Sequence, residues 1–236
     1  CRQSVRLVFG HDCPMSYPRR EIALGIFYQY SSYVIMQTFC LLAETTRGPT
    51  LPDRLHEWIH ADRTLAVYNS TIWLPGVLVF IAFLAIRSPM ACVNYMRVGA
   101  VVTVFRGLFI FATSLGPPLA VMSDAPPAML SLTRESITLP LLIRQWIPLD
   151  VLYGGSGLSA AYLTQDLFFS GHTATTFLFC LVTRGWIRTV SVFFHIVTVA
   201  LLILTHEHYT IDIMGAYFVV YAVHSFFERR GLLLSA

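Results

Sequence analysis

The 236-residue chain contains no lysine, and all 16 of its basic residues are arginine. Charge as a whole is scarce: Asp, Glu, Lys and Arg make up 12% of the chain, against roughly a quarter in soluble domains. That scarcity excludes a surface built mainly for water. The five cysteines, Cys1, Cys13, Cys40, Cys92 and Cys180, are odd in number and scattered, which excludes a disulfide framework or a cysteine zinc site. No repeat or low-complexity tract occurs, and no charged-then-apolar leader opens the chain, so its start reads as trimmed rather than as a signal peptide. What remains is apolar, with 56% hydrophobic residues, and the composition is that of a polytopic membrane protein with the bilayer as its partner and no nucleic-acid partner.

A helix needs about 20 apolar residues to cross a bilayer core. Six runs approach that length, at 22–43, 71–87, 93–115, 168–184, 189–206 and 211–228. The expected fold class is therefore all-α, a bundle of six transmembrane helices over 22–228, with a 1–21 N-terminal segment and a 229–236 tail. A long loop, about 116–167, joins the third and fourth runs. Within it Ile137 to Leu149 is apolar but broken by Pro140, Arg144 and Pro148, which suits an interfacial or re-entrant piece, with Trp146 at headgroup level.

Ten arginines fall on the side of the termini, including Arg19, Arg20, Arg184, Arg188, Arg229 and Arg230, against five opposite, from Arg47 to Arg144. The excess of positive charge places the termini in the cytoplasm. Two histidine motifs, Ser170-Gly171-His172-Thr173 and His206-Glu207-His208-Tyr209-Thr210-Ile211-Asp212, then open together on the lumenal, periplasmic or exoplasmic face.

His208 and Asp212 are four apart and share a helical face. The aspartate can accept the imidazole proton, fix its tautomer and stabilise the cation formed when the other nitrogen attacks phosphorus, so His208 reads as the nucleophile. Ser170 and Gly171 open a helix whose free amides favour an oxyanion, and His172 one step inside can protonate a leaving alkoxide. Arg106, in the middle of the third run, is costly in a bilayer and reads as a phosphate contact; the competing readings are a salt bridge to Asp166 or Asp212, or snorkelling. Glu207 reads as a support for the histidines or as a solvated edge residue, and Tyr209 belongs to the same substrate-binding set. His195 and His224, alone in apolar runs, read as core residues.

One further pattern, His56-Glu57-Trp58-Ile59-His60, fits the His-Glu-x-x-His zinc peptidase signature. No third ligand stands at an obvious offset, and the expectation is a site without metal or cofactor. A lipid transporter or scaffold without catalysis is the remaining class.

The paired motifs resemble those of the sphingomyelin synthase family, within the type 2 phosphatidic acid phosphatase superfamily. Leu51-Pro52-Asp53 is similar to an element before the family's second core span, Phe105-Arg106 to a Tyr-Arg pair in the third, and Tyr153 to Ala160 to a glycine-rich segment before the first motif. Asp166 stands where the family keeps an aspartate, and Ala216-Tyr217 follows the second motif. Thr164-Gln165 replaces the usual Cys-Gly, Arg97 alone represents an arginine doublet, and the lysine-and-arginine phosphatase signature is missing.

The resemblance covers roughly 50–228. It implies transfer of a phospho-alcohol headgroup, of phosphocholine or phosphoethanolamine type, from a glycerophospholipid donor to ceramide or a similar lipid hydroxyl. Diacylglycerol is released through a phosphohistidine on His208. Water as acceptor would make the same site a lipid phosphatase or phosphodiesterase. A choline headgroup would call for an aromatic cage, for which Tyr68, Trp73, Trp146, Tyr153 and Tyr162 are candidates. A homo-oligomer is compatible with this reading.

Overall fold

The computed structural model describes residues 17–46, 48–124, 132–147, 163–165 and 167–234. Asp166, Tyr153, Tyr162 and the glycine-rich segment lie outside the described residues. Those described form helices and loops with no strand: α1 Tyr17–Glu44, α2 Arg54–Trp58, α3 Trp73–Arg87, α4 Pro89–Thr113, α5 Leu119–Asp124, α6 Leu139–Trp146, α7 Gly171–Val182, α8 Gly185–Thr205 and α9 Thr210–Arg229. Each of the six apolar runs coincides with a helix. Three of them, α4, α8 and α9, are long and apolar enough to cross a membrane, whereas α3 and α7 are shorter apolar helices. At about 1.5 Å per residue, α7 extends only about 18 Å, less than a hydrocarbon core of about 30 Å.

Helices α1 and α4 run side by side in the same direction. Glu21 pairs with Arg97 at one end, Gln29 donates to Thr103 further on, and Met36 meets Gly107 beyond that. A Cβ at Gly107 would stand 2.8 Å from the Met36 Cα, so only glycine permits this approach. Helix α3 lies between α1 and α4 in the chain and packs on α4.

The second half of the bundle turns tightly between α7 and α8 at Gly185, whose φ of +57° suits glycine. The two helices are antiparallel: Thr183 meets Ser191 at 3.2 Å, and Thr176 meets His195 Nδ1 at 2.8 Å. His195 Nε2 then bonds the Tyr217 hydroxyl of α9 at 2.8 Å. It is a buried, doubly bonded link among three helices, as its place in an apolar run suggested. Val98, Val102, Leu178, Phe179, Ala216 and Val220 fill the space between α4, α7 and α9.

The apolar piece near Trp146 docks against the middle of α1. The Trp146 indole donates to Thr38, the Tyr30 hydroxyl donates to the Trp146 carbonyl, and the Tyr33 hydroxyl donates to the Gln145 carbonyl. Trp146 thus anchors this piece to α1. Thr164-Gln165 has a partner of its own at the end of α1: buried Glu44 accepts the Thr164 hydroxyl at 2.7 Å and also the Gln165 amide.

Candidate active site

Asp212 organises the site. Its carboxylate is fully buried, with Oδ2 accepting the Tyr209 amide at 3.0 Å and Oδ1 accepting the Phe168 amide at 3.1 Å. Its carbonyl accepts the Ser170 amide at 3.0 Å. One residue of the second motif therefore fastens the loop that carries the first. His208 Nδ1 lies 3.4 Å from Asp212 Oδ2, within ion-pair range but not aligned as a hydrogen bond. Nδ1 is thus the ring nitrogen that faces the carboxylate.

The His172 ring stands 5.9 Å from the His208 ring, centroid to centroid, at an interplanar angle of 65°. One phosphate can touch both imidazoles at this separation. Trp73 covers His172 with its centroid 4.3 Å away. Among the described residues considered for a headgroup cage, Trp73 is the one that stands against a catalytic-candidate histidine. It enters α3 from a π-helical turn, Tyr68–Ile72, a kind of irregularity often found at functional sites.

Ser170 caps α7, its Oγ accepting the Thr173 amide at 3.3 Å. The Arg106 guanidinium lies at this helix start. Its Nε donates to the Phe169 carbonyl at 3.0 Å, and Nη1 lies 3.1 Å from the Met36 sulfur. A Cβ at Gly171 would come within 2.9 Å of the guanidinium carbon. The glycine of the first motif is thus where the arginine fits, and Gly171→Ala must displace the cation by several tenths of an ångström. Such a displacement is expected to lower turnover about tenfold to a hundredfold while leaving the melting temperature nearly unchanged, as steady-state assays and thermal melts of the variant would show.

A further layer holds the second motif. Asp53 of Leu51-Pro52-Asp53 caps α2 and accepts both the Thr210 amide, at 2.6 Å, and the Thr210 hydroxyl, at 3.0 Å. The Tyr209 hydroxyl donates to the Gly116 carbonyl at 2.9 Å and accepts the Leu51 amide at 3.1 Å. Tyr209, expected among the substrate-binding residues, spends its hydroxyl on these loops. Glu207 accepts from Asn69 at 2.7 Å, which ties it to the Tyr68–Ile72 turn.

The zinc-peptidase pattern is not a zinc site. Helix α2 ends at Trp58, so His56 and His60 share no helical face, and Glu57 pairs with Arg54. His56 turns inward instead: its Nε2 lies 3.2 Å from the His208 carbonyl, and its ring stacks on His206 at 3.9 Å and 6°. Sequence patterns missed this pair, because the spacing that flagged His56 belongs to a helix that stops too early.

Burial holds His206 below its ordinary pKa of 6.5, and the nearby His56 reinforces this; Ile59 and Asp53 oppose it, while Arg63 lowers it further. Asp53 is also held low: burial raises it, but the Thr210 hydrogen bonds and the His56 charge outweigh burial. For both groups the unfolded chain binds more protons than the folded one, so acidification destabilises the fold. The His206 contribution is lost as pH falls from about 6.5, and the Asp53 contribution as pH falls below about 3.8. Thermal melts in detergent should therefore show a melting temperature that drops between about pH 7 and pH 5, and a smaller drop in His206→Asn.

Residues 165–229 match the family model described as PAP2 superfamily C-terminal. No curated protein matches the chain. The matched stretch contains Ser170, Gly171, His172, Glu207, His208, Tyr209 and Asp212, while Arg106, Asp53 and His56 come from outside it. The part of this membrane protein that carries both histidine motifs is PAP2-like.

Proposed function

We propose that the chain is a membrane-embedded lipid phosphotransferase that moves a phospho-alcohol headgroup from a glycerophospholipid to ceramide or a similar lipid hydroxyl. The observation that carries this reading is the His172–His208–Asp212 arrangement, two imidazoles 5.9 Å apart with a buried carboxylate behind one of them. His208 Nε2 attacks the lipid phosphate and the P–O bond to diacylglycerol breaks. His172 protonates the leaving alkoxide, giving diacylglycerol and a phosphoramidate ester in which the headgroup phosphate is bonded to the His208 nitrogen. The acceptor hydroxyl, deprotonated by His172, then attacks phosphorus and restores the His208 nitrogen.

Arg106 and the start of α7 stabilise the extra negative charge in both steps. Trp73 against His172 favours transfer over hydrolysis, because an apolar ring beside the general base keeps water from the phosphohistidine. A mostly apolar cavity of about 680 Å³, lined by Leu51, Leu55, Trp58, Ile211 and Met214, borders the motif at Tyr209 and Thr210 and suits acyl chains rather than the reacting phosphate. The arginine asymmetry supports a site on the non-cytoplasmic face of a six-helix bundle with both termini in the cytoplasm.

The test is product analysis. Purified protein is incubated with labelled phosphatidylcholine, phosphatidylethanolamine, phosphatidylinositol and phosphatidic acid, with and without ceramide. A ceramide-dependent labelled sphingolipid together with diacylglycerol is the expected outcome. Free phosphate or phospho-alcohol formed equally without ceramide would make the protein a hydrolase instead.

A further inference from the structure

Among the described residues, the least expected contact at the site is the one made by His56. Its ring lies parallel to the His206 ring, 3.9 Å away and within 6° of coplanar orientation, and its side chain is 14% exposed. Its Nε2 lies 3.2 Å from the His208 carbonyl. A carbonyl only accepts, so Nε2 carries the proton, and the contact fixes the His56 tautomer. Asp53 Oδ2 lies 3.9 Å from the same nitrogen and also accepts the Thr210 amide. Both His56 contacts fall on the short segment between α8 and α9, where His206 takes a left-handed turn at φ +53° and its Nε2 is buried with no hydrogen-bond partner among the described residues. A β-carbon residue in that conformation is held by its surroundings rather than by its own preference.

We propose that His56 is a positioning residue for the nucleophile: its Nε2–H on the His208 carbonyl and its stack on His206 set the turn that aims the His208 ring at Asp212 and the phosphate. The inference rests on His208 being that nucleophile. In this role His56 acts through the backbone of His208. Because the His208–Asp212 contact is already long at 3.4 Å, a small rotation of residues 206–208 is enough to break it. The donated hydrogen bond and the stack make separable contributions. His56→Gln keeps a side-chain N–H donor without the ring, and His56→Phe keeps the stacked ring without a donor.

The experiment compares single-turnover labelling of unmutated protein, His56→Gln, His56→Phe and His208→Ala with radiolabelled phosphatidylcholine, phosphatidylethanolamine and phosphatidic acid in mixed micelles, beside thermal melts. His56→Phe should melt within about 2 °C of the unmutated chain. Its maximal labelling rate should fall about tenfold to a hundredfold, with half-saturation changed less than about twofold. His56→Gln should recover most of that rate. Full rate in His56→Phe, or melting losses that parallel the rate losses in both variants, would overturn the inference while leaving His208 as the nucleophile. Equal labelling of His208→Ala and the unmutated chain would overturn the nucleophile assignment itself, and the role of His56 with it.

Discussion

His208→Ala is expected to abolish covalent phosphoryl-enzyme formation and to lower lipid turnover by at least about ten-thousandfold, as removing a nucleophile from a cooperating set does elsewhere. The fold should survive, since the ring makes no aligned hydrogen bond to Asp212 and its backbone contact with His56 is retained. His172→Ala should behave differently. Without a general acid, expulsion of diacylglycerol slows, but a substrate with a good leaving group still labels His208, because its departure needs no proton. The contrast between the two variants assigns nucleophile and acid separately; covalent labelling that persists unchanged in His208→Ala would exclude the assignment.

Asp212→Asn carries the second large effect, and it strikes both activity and stability. The carboxylate accepts two backbone amides, from Tyr209 and Phe168, and faces His208 Nδ1 with the same oxygen that takes the Tyr209 amide. An amide side chain has one oxygen only, so one of those N–H groups must confront an NH2 in a buried setting. The cost is about 1–3 kcal/mol, which for a chain of this length lowers the melting temperature by several degrees. Activity should fall about a thousandfold to ten-thousandfold, because the neutral side chain no longer stabilises the charged imidazole and favours the wrong tautomer. Circular dichroism melts and turnover measured on one preparation separate the two losses. An Asp212→Asn variant with normal turnover would show that the carboxylate serves only to hold the loops together.

How much of this was legible in the sequence depended on whether a residue acts through local spacing. The i,i+4 relation of His208 and Asp212 exists within one helix turn, and the structure keeps it. The apolar runs located the helices for the same reason, although run length overstated α7, which Ser170 and Thr183 cap after 12 residues. The cross-connections were not legible. Nothing in the spacing says that the Asp212 carbonyl and carboxylate bind the loop before Ser170, that Asp53 clamps Thr210 across 157 positions, or that Glu44 holds Thr164-Gln165.

His56 shows how a local pattern misleads. His-Glu-x-x-His needs a continuous helix to bring its histidines together, and this helix ends between them, which frees His56 for a partner far along the chain. Arg106 lay between these extremes. Its depth in an apolar run signalled a function, but only the packing of its guanidinium on Gly171 connects it to the first motif.

The central claim is that a lipid phosphate passes through His208. The most direct measurement is a rapid quench of the protein with radiolabelled phospholipid, followed by mass-spectrometric mapping of the modified peptide under alkaline conditions that preserve phosphohistidine. The account predicts an acid-labile phosphoramidate ester on His208, formed before the product appears and discharged faster when ceramide is added. A label on another residue, or turnover with no label on His208 at any time, would contradict it.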